Sequence, residues 1–147
     1  LKLLLNPHLP PISADRMRIR QILNNLVTNS LEALEGRPGA RVEIETHLAE
    51  DAKRPATVAI VVTDNGPGFQ PDLIGTVFDP YVTSKPKGTG LGLAIVKKIV
   101  EEHGGRIEAD NQRSGGARVQ ILLPLGDGAR PVSVREPRKG EHRRERV

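Results

Sequence analysis

From Asp15 to Leu34 the apolar residues return every three or four positions. Ile19, Ile22, Leu23, Leu26, Val27, Ser30, Leu31, Ala33 and Leu34 share one broad side, and Gln21, Asn25, Thr28, Asn29 and Glu32 share the other. At about 100° per residue that is an amphipathic helix, stopped by GRPG. The period then changes. RVEIETH (41–47) alternates, as a strand with one wet face does, and TVAIVVT (57–63) is nearly continuous, as a buried strand is. HLAEDAKRPA between them reads as a hairpin loop. After DNGPGF come a short helical turn near Asp72 to Val77 and an irregular stretch from Phe78 to Thr89. The pattern predicts a second helix over Gly90 to His103, closed by Gly104 and Gly105. Two last strands, Arg106 to Ala109 and Ala117 to Leu123, are joined by a polar turn, DNQRSGG. At the start, LKLLLNPHLPPISAD breaks its apolar runs with prolines and suggests one or two short edge strands. Strands paired through hairpins with interleaved helices predict an α+β fold, a two-layer α/β sandwich whose mixed sheet packs on about three helices.

Composition narrows the function classes. The 147 residues suit one domain, and 37% hydrophobic content suffices for one core. Aromatic residues number only two Phe and one Tyr, so the core is aliphatic and stacking of nucleic-acid bases has little support. The absence of cysteine excludes disulfides, thiolate zinc sites and a cysteine nucleophile, and suits a reducing cytosol. No apolar run approaches the roughly 18 residues that span a bilayer, so this stretch is expected to be soluble, with no direct membrane contact. The net charge of +4 is concentrated at one end, because residues 126–147 hold seven Lys/Arg against four Asp/Glu. The expected division is therefore a domain over 1–125 and a basic, disordered tail over 126–147.

Three short stretches carry candidate chemistry. Asn25 and Asn29 lie one turn apart on the first helix, where an exposed face is normally rich in Glu and Lys. An amide oxygen at half-buried Asn29 can ligate a hard cation such as Mg²⁺, and a polar face bonded to neighbouring loops is the plainer reading. In DNGPGF, Asp64 ends the buried strand and Gly66 and Gly68 leave the backbone open to a flat ligand. A carboxylate there can accept a hydrogen bond from an exocyclic amine such as that of adenine, although D-N-G is also ordinary turn chemistry. GTGLGL puts glycines at 88, 90 and 92, which is neither G-x-G-x-x-G after a strand nor a G-x-x-x-x-G-K-[ST] loop. A helix start near Gly90 offers free amides and a positive dipole end to phosphate, and Lys85 and Lys87 precede it. A flexible connector is the alternative.

The order of these stretches is more telling than any one of them. Over about Leu1 to Pro124 the chain resembles the ATP-binding catalytic domain of sensor histidine kinases, within the Bergerat-fold ATPases. QILNNLVTNSLEAL resembles the N box, DNGPGF the G1 box, FDPYVTSK the F box and GTGLGLAIVKKIVEEHGG the G2 region. NSLEAL and the stretch from PYVTSK onward look most like nitrogen-regulation kinases of the NtrY type. The resemblance implies that Asn29 coordinates Mg²⁺ on the phosphates with Asn25 beside it. It implies that Asp64 binds the adenine amino group in a pocket shaped by Gly66 and Gly68. Thr83, Lys85 and the turn of Gly88, Thr89, Gly90, Leu91 and Gly92 would form a lid over ATP, and Phe78 of the F box belongs to the same nucleotide site. Asn25, Asn29 and Lys85 would carry phosphoryl transfer, which needs mainly positioning and charge neutralisation.

The implied partners are ATP or ADP, an upstream dimerisation domain bearing the acceptor histidine, and a response regulator. The implied location is the cytoplasmic part of a membrane-bound sensor kinase. Nucleic acid is not among the expected partners. In family members that hydrolyse ATP, such as gyrase, a glutamate four residues before the metal-binding Asn serves as general base. Asn25 stands there and cannot take a proton at neutral pH. Slow hydrolysis and transfer to a partner's side chain are therefore expected. The alternatives are a Bergerat ATPase, a serine-kinase anti-sigma factor, or a nucleic-acid-binding module using the basic tail. His8, His47, His103 and His142 all lack an H-E-x-x-x-P setting, so the acceptor is expected outside this stretch.

Overall fold

The computed structural model describes residues 1–84 and 88–126. The elements run β1 (Lys2–Leu5), α1 (Arg16–Ala33), β2 (Val42–Asp51), β3 (Arg54–Asp64), a single 3-10 turn (Ile74–Thr76), α2 (Gly92–Glu102), β4 (Arg106–Asn111) and β5 (Ala117–Pro124). One five-stranded sheet has the order β1-β2-β3-β5-β4, with β1 parallel to β2 and every other pairing antiparallel. Both helices lie on one face. The mixed two-layer sandwich is thus present, with two helices, and the third expected helical segment is only the 3-10 turn.

Each helix is delimited by its own chemistry. Asp15 caps α1: its Oδ1 accepts from the amides of Met17 and Arg18 at 2.8 and 3.3 Å. At the other end Gly36 takes a φ of 72° that few side chains tolerate. For α2, Gly104 at φ 71° turns the chain, and the Gly105 amide donates back to the Val100 carbonyl at 2.9 Å. The two helices run antiparallel, since Arg18 meets Glu102 at 2.9 Å at one end and Asn25 approaches the Gly92 carbonyl at 3.4 Å at the other. His103 ties the first of these ends: its Nε2 accepts from the Asp15 amide at 3.2 Å, and Nδ1 lies 2.7 Å from the Ile99 carbonyl.

The core lies between helices and sheet and is wholly aliphatic. Ile22 and Leu26 of α1, Val96, Ile99 and Val100 of α2, Ile44 and Val62 on β2 and β3, and Ile121 and Leu123 of β5 form one buried cluster. The other sheet face is wet and carries Glu43, Glu45 and His47 of β2, yet Ala59 and Val61 are buried there too, which explains why β3 reads as continuously apolar.

Two boundaries and one burial differ from the sequence reading. HLAEDAKRPA is strand on both sides: Leu48 pairs with Val58 and Ala49 with Thr57, so the turn shrinks to Ala52 and Lys53. Its polar residues occupy a wet edge rather than a loop. The second helix starts at Gly92 rather than Gly90, because Gly90 at φ 70° cannot continue a right-handed helix. Leu31, placed by its period on the apolar side of α1, is 58% exposed, since sheet and α2 cover a narrower stripe than the helical wheel allows. The basic tail from residue 127 on lies outside the described residues.

Ile22 has no exposed surface and touches both layers. Ile22→Ala is expected to cost about 2–5 kcal/mol, read as a lowered urea midpoint with an unchanged m-value.

Candidate functional site

The end of β3 carries Asp64, and its surroundings are built around it. Asp64 is 5% exposed, one of two buried polar side chains among the described residues. Its Oδ1 accepts from the Gly66 amide at 2.9 Å and from the Ala117 amide at 3.2 Å. Its carbonyl accepts from Gln112 Nε2 at 2.9 Å. Those bonds come from two segments, the DNGPGF loop and the β4–β5 turn, and they hold the carboxylate in one orientation. Among the described residues Oδ2 receives no such bond, and Asp64 lines a cleft.

That cleft is open on one side and encloses about 110 Å³. Asn29 and Ala33 of α1 form one wall, Leu93 of α2 another, Asp64, Gly68, Phe69 and Ala117 a third, and Leu73, Val77, Val82, Thr83 and Ser84 a fourth. Of the residues singled out from sequence, Asn29, Asp64, Gly68 and Thr83 therefore share this one cleft. Asn25 is half-buried one turn earlier on α1, with its Nδ2 towards the Gly92 carbonyl. Gly66 is buried behind Asp64, where a Cβ would come within 3.1 Å of Oδ1 and 3.4 Å of Leu34. Phe78 is half-buried and does not line the cleft. Lys85 and Lys87 lie outside the described residues.

The three glycines of GTGLGL have different surroundings. Gly88 is exposed. Gly90 accepts at its carbonyl from the Tyr81 amide at 2.9 Å, and a Cβ on it would sit 2.6 Å from the Tyr81 carbonyl carbon. Tyr81 itself has φ 67°, the one non-glycine residue with positive φ among those described. This pair brings residues 81 and 90 together. Thr89 accepts from the Leu91 amide through Oγ1 at 3.3 Å. Leu91 precedes α2 with no side-chain cap, and a Cβ on Gly92 would meet nothing within 4 Å. The first turn of α2 has no side-chain cap, so its free amides are suited to an anion.

Sequence reasoning missed Phe69, Leu73, Val77 and Leu93, the apolar lining, because nothing local marks them. It also missed the β4–β5 turn. Gly116 takes φ 99°, and a Cβ there would lie 1.8 Å from the Asp64 carbonyl oxygen. The paired glycines of DNQRSGG were a detectable signal of so close an approach. None of the described histidines lines the cleft, and no group of three or more His, Cys, Asp or Glu able to hold a metal occurs among the described residues.

A mixed sheet with both helices on one face, and a cleft floored by a fixed carboxylate, define an α+β domain with a candidate small-molecule site. Residues 14–127 match the model of the "Histidine kinase-, DNA gyrase B-, and HSP90-like ATPase" family, and the chain belongs to that family. A putative sensor histidine kinase, NtrY-like, of Rickettsia conorii is 41% identical over 76% of the chain. The chain spans 18% of that relative's length. Among solved structures, the mycobacterial sensor histidine kinase MprB superposes with a TM-score of 0.72 at 28% identity, covering 85% of this chain and 82% of that one. Full-length ShkA in complex with AMPPNP gives 0.68 at 29% identity, over 89% of this chain and 26% of that one.

Gly116→Ala should lower stability by about 2–4 kcal/mol, because both the φ and the space forbid a side chain. Gly115→Ala, whose Cβ would meet nothing within 4 Å, should cost only the φ strain of about 1 kcal/mol. Thermal melts of the two variants check this; equal losses would contradict it.

Proposed function

We propose that this domain binds Mg·ATP in the cleft and donates the γ-phosphoryl group to a histidine on an upstream dimerisation domain, as the catalytic part of a sensor histidine kinase. The observation that carries the reading is the convergence of Asn29, Asp64, Gly68 and Thr83 on one cleft. The Asp64 oxygen that receives no donor among the described residues is available to an exocyclic amine, which selects adenine over bases that present an acceptor there. Gly66 and Gly68 shape the wall beside that base. Phe69, Leu73, Val77 and Leu93 provide an apolar surround suited to a flat ring. Phosphates extend towards the N-terminus of α2, past Gly88, Thr89, Gly90, Leu91 and Gly92, with Thr83 and Lys85 closing over them. Phe78 is assigned to the same nucleotide site, although it does not line the cleft among the described residues.

The donor chemistry fits Mg²⁺. One amide oxygen, from Asn29 with Asn25 beside it, is too little to hold the ion alone but suffices for a hard cation that arrives on a triphosphate and keeps its waters. When bound, the ion neutralises charge on the phosphates. This chain's own residues orient the triphosphate and exclude water. Asn25 is an amide and cannot abstract a proton from water, so the reading favours transfer to another side chain over hydrolysis. The response regulator is the onward partner. A cytoplasmic setting follows from the kinase reading, and no helix among the described residues is long and apolar enough to cross a membrane.

Asp64→Asn preserves an oxygen for the two amides it serves, so the fold should survive while adenine recognition fails. Isothermal titration with Mg·AMPPNP should show at least about tenfold weaker binding for Asp64→Asn and for Asn29→Ala, with melting temperatures within a few degrees of wild type. Wild-type affinity in both variants would refute the site. The domain alone should turn over ATP very slowly, and sustained hydrolysis on the order of 1 s⁻¹ or more would favour an ATPase instead.

A further inference from the structure

The β4–β5 turn, DNQRSGG, has no part in the reading above, yet it is bonded to the cleft wall more tightly than its exposure suggests. Asn111 sits at the end of β4 on the surface. Its Oδ1 accepts from the Phe69 amide at 2.7 Å, and its Nδ2 donates to the Phe69 carbonyl at 2.8 Å. One carboxamide thus satisfies both main-chain polar groups of a single residue 42 positions earlier, in the two-bond manner of a strand partner. Neighbouring Gln112 donates to the Asp64 carbonyl at 2.9 Å.

The approach is close by construction. Gly68 has φ 77°, and a Cβ on it would lie 2.6 Å from Asn111 Oδ1. Gly68 and Phe69 both line the cleft, and Asn111 does not. No other side chain among the described residues bonds the main chain of Phe69. The neighbouring Asn65 carboxamide clamps the opposite side of the loop, accepting from the Arg41 amide and donating to the Gly39 carbonyl at 2.8 Å.

We propose that Asn111 is a positioning residue for the nucleotide: it straps Phe69, and with it the Gly68–Phe69 wall, at the distance the base requires. The inference rests on the nucleotide reading above. Asp64 is held by Gly66, Ala117 and Gln112, so removing the strap frees the wall while leaving the recognition acid fixed. That separates the effect of Asn111 from that of Asp64. The strap acts before binding, so its loss makes the nucleotide order a loose loop and lowers affinity.

The test uses this chain with Asn111→Ala and Asn111→Asp, titrated with Mg·AMPPNP well below the melting temperature. It is paired with residue-resolved amide hydrogen exchange without nucleotide. Asn111→Ala should bind roughly tenfold more weakly and lose protection at the Phe69 amide. Asn111→Asp keeps the acceptor for that amide but not the donor, so it should restore protection at Phe69 and recover part of the affinity. A role confined to fold stability would shift the melting temperature of both variants without this ordering in affinity. Wild-type affinity in Asn111→Ala, or a Phe69 amide still protected in it, overturns the proposal while Asp64→Asn continues to report on the nucleotide reading. Failure of wild type to bind Mg·AMPPNP overturns both.

Discussion

The structure turns on one buried carboxylate that must satisfy amides from two separate stretches of chain. A carboxyl group as buried as that of Asp64 needs hydrogen-bond partners around it. Its Oδ1 takes them from Gly66 in its own loop and from Ala117 on β5. That requirement explains features with no local cause. The β4–β5 turn must come close enough for the Ala117 amide to reach the acid, which brings Gly116 against the Asp64 carbonyl and permits no side chain there. The DNGPGF loop must fold back over the acid, which gives Gly68 its positive φ. With both amides on Oδ1, Asp64 lines the cleft.

The helices frame this floor from above. Since α1 and α2 run antiparallel, the C-terminal half of one and the N-terminal end of the other meet at the same end, so Asn29 and Leu93 both line the cleft. The opposite ends are tied by Arg18 with Glu102 and by His103, whose ring bridges the start of α1 and the last turn of α2. Rigid registration far from the cleft fixes the spacing of its walls, in keeping with sites whose walls are helices and strands and whose covers are loops.

Much of this was legible in the chain. The helical period of 15–34, the continuous apolar run of β3 and the glycine pair after α2 identify the elements, because each signal is local. Asp64 was legible as a candidate, since an acid at a buried strand end followed by spaced glycines leaves room for a ligand, although the same D-N-G also reads as an ordinary turn; the structure places it on the cleft. The apolar lining and the strap at Asn111 were not, because both depend on contacts between residues some 40 positions apart, as Asn111 and Phe69 are. GTGLGL shows the limit within one motif. Its glycines look equivalent in sequence, but Gly90 is forced by contact with the Tyr81 backbone while Gly92 meets nothing. The strands around Asp51 and Arg54 were misjudged as loop because polar residues on a wet edge have the composition of a turn.

The bond between the Tyr81 amide and the Gly90 carbonyl bears on how such domains can diverge. It brings the two ends of the intervening segment together independently of what lies between them, and α2 starts just after the knot. For a loop whose ends are already joined, each doubling of length adds only about 0.6 kcal/mol of closure entropy. Insertions and deletions inside that knot can therefore accumulate over evolutionary time without displacing the helix or the cleft, leaving its length as a variable on which different descendants can draw.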